Sequence, residues 1–352
     1  MPKDERLELI RAIEEKRSSR LVTYVLSDRV NAPPALIVDD AIRPIHRQLE
    51  MIGRNKSIDL FLYTRGGSSV SSFRIAKLIR EYCSTFSVLV PFRAHSGGTQ
   101  ICLGADSILM GPLAELSPID PRTTSSYNPI DQRGRPIPIG VEDVTAFLDF
   151  CIEEAKLKSE TSRLETIKIL TTQAPPLALG NVARVYDESR LIANELLSHH
   201  IKGAKQESRI ERITRALTEE YTHEHYFTRD KAIEIGLNIV KPDQELESLM
   251  TRLFEDYEEQ LRLCEPFDPE SILGQEPVKN FHIWYGLIES LKRSYVAIGQ
   301  GSVSRPVAQP QRITLPGMPG PVTVVPHPSS LPVSVKFKDS KWVELSEASA
   351  SE

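Results

Sequence analysis

The sequence predicts an α/β fold: a parallel β-sheet flanked by helices, with a helical C-terminal part and an extended proline-rich arm. Three observations lead there. Short runs rich in β-branched and aromatic residues alternate with segments whose apolar residues recur at helical spacing. The connections between them are short, which calls for crossover helices and parallel strands. Two glycine-bearing turns fall between a strand and a helix, at the edge where open parallel sheets place their sites.

Taken in order, residues 4–19 read as a charged helix with Leu7, Ile10 and Ile13 as a thin apolar stripe. Residues 21–26 (Leu-Val-Thr-Tyr-Val-Leu) form the first strand. Over 38–53, Val38, Ile42, Ile45, Leu49 and Ile52 keep helical spacing and Gly53 ends the segment. Residues 58–63 (Ile-Asp-Leu-Phe-Leu-Tyr) make a second strand that stops at Thr64-Arg65-Gly66-Gly67, and a helix carrying Phe73, Ile75, Ala76 and Ile79 follows. A third strand at 86–90 closes at Pro91. Ser96-Gly97-Gly98-Thr99 opens a short apolar helix that reaches Ala105, and 107–110 is a fourth strand.

Residues 123–140, crowded with Pro, Gly, Ser and Asn, read as a loop, and 141–172 as a long helix or helix pair broken by Pro175-Pro176. Helices follow over 182–200, 205–221 and 229–236. From about residue 303 prolines accumulate, which favours an extended arm, although 333–343 has the alternation of one late strand. The expected organisation is an N-terminal helix (1–19), the α/β domain (20–240), a helical oligomerisation segment (241–300) and the arm (301–352). The alternating Val333, Val335 and Phe337, with Trp342, suit either a free tail or a strand added to a neighbouring subunit.

Composition narrows the function classes. The chain has 352 residues and a formal net charge of −5, which argues against a main business of neutralising nucleic-acid phosphates. The first residues are polar, with no apolar run of secretory or membrane-spanning length, so a cytoplasmic protein is expected. Cys83, Cys102, Cys151 and Cys264 are widely spread and read as free thiols. His223-Glu224-His225 lacks a third ligand at a recognisable spacing, so no metal and no cofactor are expected.

The chemistry-bearing residues sit at the two glycine turns. Consecutive glycines at 66 and 67 let bare N–H groups approach a ligand. Ser96 precedes a helix, where its hydroxyl meets the positive end of the helix dipole. Either feature alone is ordinary: a serine there is usually an N-cap, and Gly-Gly is usually a plain turn. Together, one βα unit apart, they supply a nucleophile and oxyanion-stabilising donors, the parts of acyl transfer.

Thr64-Arg65-Gly66-Gly67, Ala94-His95-Ser96-Gly97-Gly98-Thr99, Leu103-Gly104-Ala105-Asp106-Ser107-Ile108-Leu109-Met110-Gly111 and Leu116-Ser117-Pro118-Ile119-Asp120-Pro121 follow one another in an order that resembles the serine dehydrogenase proteinase family. That family lies in the Clp-protease and signal-peptide-peptidase class, with a Clp/crotonase-like sheet spiral. Leu179-Gly180, Ala193-Asn194-Glu195-Leu196-Leu197, His223, the segment around Ile233 and Gly236, and Ile288-Glu289-Ser290 with Ser294-Tyr295 continue the match. The resemblance implies Ser96 as nucleophile and an oxyanion hole from the N–H groups of Gly97 and of Gly66 or Gly67. It also implies a homo-oligomer acting on polypeptide, with an unfoldase or other protein as a further partner. Nothing points to a dehydrogenase, because no Gly-x-Gly-x-x-Gly opens a helix after a strand.

The sequence departs from the family pattern at Gly97, which replaces an alanine without removing an N–H donor, and at two further places. Arg65 replaces the usual proline and puts a cation beside the site, suited to an acidic or carboxylate-ended substrate or simply to a surface turn. No lysine stands where serine–lysine relatives carry one; Arg133 and Arg135 occupy that stretch and cannot accept a proton. The candidate bases are His223 and Asp120, with His95, Lys156 and Lys158 behind them. Two other readings stay open. One is a catalytically silent scaffold or ligand-binding protein. The other is a crotonase-like acyl-thioester enzyme with Glu115 or Asp120 as base.

Overall fold

The computed structural model describes residues 3–119, 122–123, 125–131, 134–219, 225–305, 311–313, 322–324 and 332–345. In chain order they form α1 (Lys3–Arg17), β1 (Arg20–Leu26), a 3-10 turn (Asp39–Ala41), α2 (Ile42–Ile52), β2 (Asn55–Tyr63) and α3 (Ser69–Tyr82). Then come β3 (Cys83–Val90), β4 (Arg93–Ala94), α4 (Gly97–Leu103), β5 (Ser107–Met110), β6 (Glu115–Leu116), β7 (Arg122–Thr123) and β8 (Ile139–Gly140). The helical part follows as α5 (Val141–Asp149), a π turn (Phe150–Glu154), α6 (Glu160–Gln173), α7 (Pro176–Ser198) and α8 (Gln206–Thr218). β9 (Phe227–Thr228), α9 (Arg229–Ile235), β10 (Ile239–Val240), α10 (Gln244–Gln260) and α11 (Pro269–Leu273) lead to β11 (Val278–Glu289), β12 (Ser294–Ser304), β13 (Gln311–Ile313), β14 (Val322–Val324) and β15 (Ser334–Glu344).

The central sheet has eight strands in the order β10-β5-β3-β2-β1-β11-β12-β15. From β10 to β1 every pairing is parallel, and from β1 to β15 every pairing is antiparallel. Both faces of the parallel half are covered, and the side-chain alternation sorts its residues between two cores. Val22, Tyr24 and Leu26 of β1, with Ile58, Leu60 and Leu62 of β2, join residues of α2, α3, α4 and α7. Leu21, Val25, Phe61 and Tyr63 point the other way, onto α1 and α10. Each such side chain is essentially out of water and stabilises the fold by about 1.5–3 kcal/mol relative to exposure.

The predicted α/β sheet with flanking helices is present, and the strands and helices through residue 110 fall within a few residues of their sequence-based positions. The 141–172 segment is a pair, α5 and α6, separated by the π turn. One expectation is corrected: residues 241–300 are helical only in α10 and α11, and 278–304 is the β11–β12 hairpin built into the central sheet. Phe281, His282, Ile283, Trp284 and Tyr285 are the reason, since aromatic and β-branched residues pack well on a pleated surface. The late strand exists as β15, and its partner is β12 of the same chain.

A buried charged cluster ties the chain ends to the sheet. Arg6 of α1 donates to Glu289 (2.7 Å) and Asp256 (2.8 Å), and the Tyr257 hydroxyl donates to Glu289 (2.9 Å). Burial opposes the Arg6 charge, but Glu289 and its other partners outweigh that and raise its pKa.

Candidate active site

The site lies at the carboxyl ends of the parallel strands, where β2 and β3 hand over to α3 and α4. Ser96 is the residue before α4 and takes φ +46°, ψ −111°. A non-glycine residue there carries backbone strain of about 1–3 kcal/mol, which persists only if its surroundings enforce it.

Those surroundings are a set of short hydrogen bonds. The Ser96 N–H donates to Ser117 Oγ (2.7 Å), whose own hydroxyl donates to Pro118 O (3.0 Å). Thr99 Oγ1 donates to Ala94 O (2.8 Å) and accepts the Ser117 N–H (3.1 Å). His95 N donates to Thr64 O (3.1 Å) and Gly98 N to His95 O (2.7 Å), so the serine turn is stitched to the end of β2.

The side chain of Ser96 does not cap its helix. That separates it from Ser68 and Ser159, whose hydroxyls accept backbone N–H groups at the starts of α3 and α6. The ordinary N-cap role is therefore not the one Ser96 plays. Its Oγ has no hydrogen-bond partner among the described residues.

The two glycine turns meet. Gly66 has φ +108° and Gly67 φ +149°. A β-carbon on Gly66 would lie 2.7 Å from Ser96 Cβ and 3.2 Å from Gly97 N. One on Gly97 would lie 3.2 Å from Gly67 N. A β-carbon on Gly67 would overlap the Ile37 backbone, because Ile37 N donates to Gly66 O and Ser68 N to Ile37 O, both at 2.8 Å. Gly66 N is occupied by Thr64 Oγ1 (2.9 Å). The Gly67 and Gly97 N–H groups have no acceptor among the described residues.

His95 is buried beside Ser96, with Nε2 3.0 Å from Glu115 Oε1 and its ring stacked on Tyr226 at 4.9 Å. Glu115 also accepts from Arg93 Nε (3.1 Å), Arg93 donates to Asp28 (2.8 Å), and the Tyr63 hydroxyl donates to Asp28 (2.7 Å). Burial works against the Arg93 charge, but Tyr63, Asp28 and Glu115 raise its pKa. Burial, then Asp28, pushes the Tyr63 phenol up. Glu115 Oε1 is thus engaged by both Arg93 and His95, which counts against its acting as a free crotonase-type base.

Of the residues singled out in the sequence, Ser96, Gly66, Gly67 and Gly97 come together. Asp120 and His223 lie outside the described residues. Each is attached to a described segment that touches the serine turn: Ser117–Pro118–Ile119 precedes Asp120, and Tyr226 follows His223 by three positions. Arg65 is exposed, and Lys158 pairs with Glu153 at the surface. The supporting residues Ser117, Thr99, Arg93, Asp28 and Tyr63 carry no local signature, because their partners are 18–65 positions away in the chain. Among the described residues no group of His, Cys, Asp and Glu could hold a metal, and no helix is long and apolar enough to cross a membrane.

Residues 2–130 match the family model of the ClpP-like SDH-type serine proteinases. Two uncharacterized proteins of Methanocaldococcus jannaschii, MJ0137 and MJ1495, are each 30% identical, over 140 and 123 residues. These alignments cover 37% and 33% of this chain but 49% and 42% of the relatives, so the chain spans just under half of the curated proteins it matches. Among solved structures, a mutant of the 1510-N membrane-bound stomatin-specific protease is similar, with 16% identity and a TM-score of 0.37 over 61% of this chain and 79% of that one. Residues 2–130, which carry both glycine turns and Ser96, are thus similar to the ClpP-like SDH-type serine proteinases.

Proposed function

We propose that the chain is a serine peptidase with Ser96 as nucleophile and the Gly67 and Gly97 N–H groups as oxyanion donors. The observation that carries the reading is the strained Ser96, whose hydroxyl and the nearby Gly67 and Gly97 N–H groups have no partner among the described residues. An N–H held rigidly toward developing negative charge is worth about 10²–10³ in rate. Ser96 Oγ attacks the peptide carbonyl carbon, and its proton passes to the base and then to the departing amine. Water then cleaves the acyl-enzyme ester and regenerates the hydroxyl. Asp120 or His223 is the base in this reading. The substrate is a polypeptide, and the working form is a cytoplasmic homo-oligomer.

Labelling of the purified chain by a fluorophosphonate probe, in wild type beside Ser96→Ala, tests the nucleophile. Labelling confined to the wild type supports the assignment. A probe that labels both equally, or a folded chain that refuses it while cleaving polypeptide, removes Ser96 from the mechanism. The unbonded hydroxyl also suits a silent scaffold, and a chain that neither labels nor cleaves would favour that reading.

A further inference from the structure

The antiparallel half of the sheet is longer than the parallel half, and the excess leaves an open strand edge. β1 ends opposite Gly286, since Leu26 pairs with Gly286, whereas β11 continues back to Val278. On its other side β11 is paired with β12 along this whole stretch, from Val278 with Ser304 to Trp284 with Ile298. Residues 278–284 therefore have one satisfied edge and, among the described residues, one open edge.

The ladder shows which groups are open. Arg305 N donates to Pro277 O (3.3 Å), so Pro277, Lys279, Phe281 and Ile283 turn their backbone groups toward β12. The alternation then turns the N–H and C=O of Val278, Asn280 and His282 to the open side. No acceptor or donor meets them there among the described residues. Val278, Asn280 and His282 are exposed.

This edge lines a cleft of about 1100 Å³. The end of α10 at Arg262, Arg29 after β1, the loop at Phe267 and Asp268, and α11 form the opposite wall. Arg29 fixes that wall by donating to Glu265 O (2.6 Å), and Phe267 N donates to Val30 O (2.8 Å). Asp28, the neighbour of Arg29, binds Arg93 in the chain of contacts that reaches His95. The cleft thus opens at the same carboxyl-end side of the sheet as Ser96, without including it.

We infer that this cleft docks an extended polypeptide segment, which adds to the open edge of β11 as a further strand. A strand edge is matched by the evenly repeating donors and acceptors of another backbone, so the ligand class follows from the unpaired groups. The cleft is walled opposite this edge by α10, the Phe267 loop and α11, and it opens on the same side of the sheet as Ser96, which suits an extended chain that also reaches the serine. The occupant is a distal stretch of the polypeptide substrate. That assignment rests on the peptidase reading, whereas the strand-docking geometry does not.

The test uses full-length Ser96→Ala protein and permanently unfolded carboxymethylated α-lactalbumin, followed by fluorescence anisotropy. His282→Pro deletes an N–H on the open edge and leaves the β12 ladder intact, whereas His282→Ala keeps that N–H. His282→Pro and Asn280→Pro should each weaken binding at least tenfold, and His282→Ala less than threefold. Equal loss in His282→Ala and His282→Pro would overturn backbone pairing in favour of side-chain recognition. Undiminished binding in both proline variants would overturn the site. Fluorophosphonate labelling of the same variants with Ser96 restored should stay at wild-type rate. If labelling is absent from wild type while the proline effect on binding persists, the peptidase reading fails and strand docking stands.

Discussion

Replacing Ser117 by alanine tests whether the strain at Ser96 is held by its surroundings. The Ser117 hydroxyl is buried, and it is the acceptor for the Ser96 N–H at 2.7 Å. Without it, that N–H loses its partner, at a cost of about 1–3 kcal/mol. This matches the roughly 1–3 kcal/mol of strain in the φ +46° conformation, so the turn gains by relaxing. If the serine must regain its geometry to react, the barrier rises by that amount, and a factor of ten accompanies each 1.4 kcal/mol. The fluorophosphonate labelling rate should fall about 5- to 150-fold. The assay is the second-order labelling rate at saturating folded protein, with Ser96→Ala as the blank and far-UV circular dichroism as the fold control. A Ser117→Ala chain that labels at wild-type rate, with Ser96→Ala still inert, would refute the argument that this bond holds the nucleophile.

Four further perturbations have defined outcomes. Gly66→Ala forces a β-carbon to within 2.7 Å of Ser96 Cβ at φ +108°, so labelling should drop below detection while the chain stays folded. Arg6→Met leaves Glu289 and Asp256 buried without their guanidinium and should destabilise by about 3–5 kcal/mol, read as a fall in thermal midpoint; an unchanged midpoint would show the cluster to be dispensable. Burial depresses the pKa of His200 below the usual 6.5, against the opposing contact of its Nε2 with Leu103 O. The unfolded chain therefore binds the proton more readily, so this stability is full above pH 6.5 and is lost as pH falls below it. His200→Gln should flatten that slope in denaturation measured from pH 8 to 5. Burial pushes the Cys83 thiol up to about 11, so at pH 8 a thiol reagent should modify exposed Cys264 well before Cys83; the reverse order would contradict the packing around Cys83.

The sequence made the parallel half of the fold legible because its signals are local. The near-continuous apolar run in 58–63, helical spacing in 69–82 and the glycines at 66, 67, 97 and 98 each declare a conformation within a few residues. Ser96 was visible for the same reason. What holds Ser96 was not, since Ser117 lies 21 positions away and the Asp28–Arg93 pair spans 65. The β11–β12 hairpin was missed although its aromatic run favours a strand, because its strand character is settled by pairing with β1, more than 250 positions earlier. The alternation at Val333, Val335 and Phe337 made β15 legible as a late strand after the last proline, but not its pairing with β12 of the same chain. The base stayed open in the sequence for want of a lysine, and its two candidates lie outside the described residues.

The placement of β11 against β1 also bears on how the chain is made. Thr23 and Glu289, hydrogen-bonded neighbours in the finished sheet, are 266 residues apart. At about 5–20 residues per second of synthesis, β1 waits roughly 13–50 s on the ribosome before its partner strand emerges. During that interval its apolar edge, Leu-Val-Thr-Tyr-Val-Leu, is unsealed and open to pairing with another nascent chain. Slow translation or crowded polysomes should therefore raise the aggregated fraction, and a chaperone that shields nascent strands should lower it.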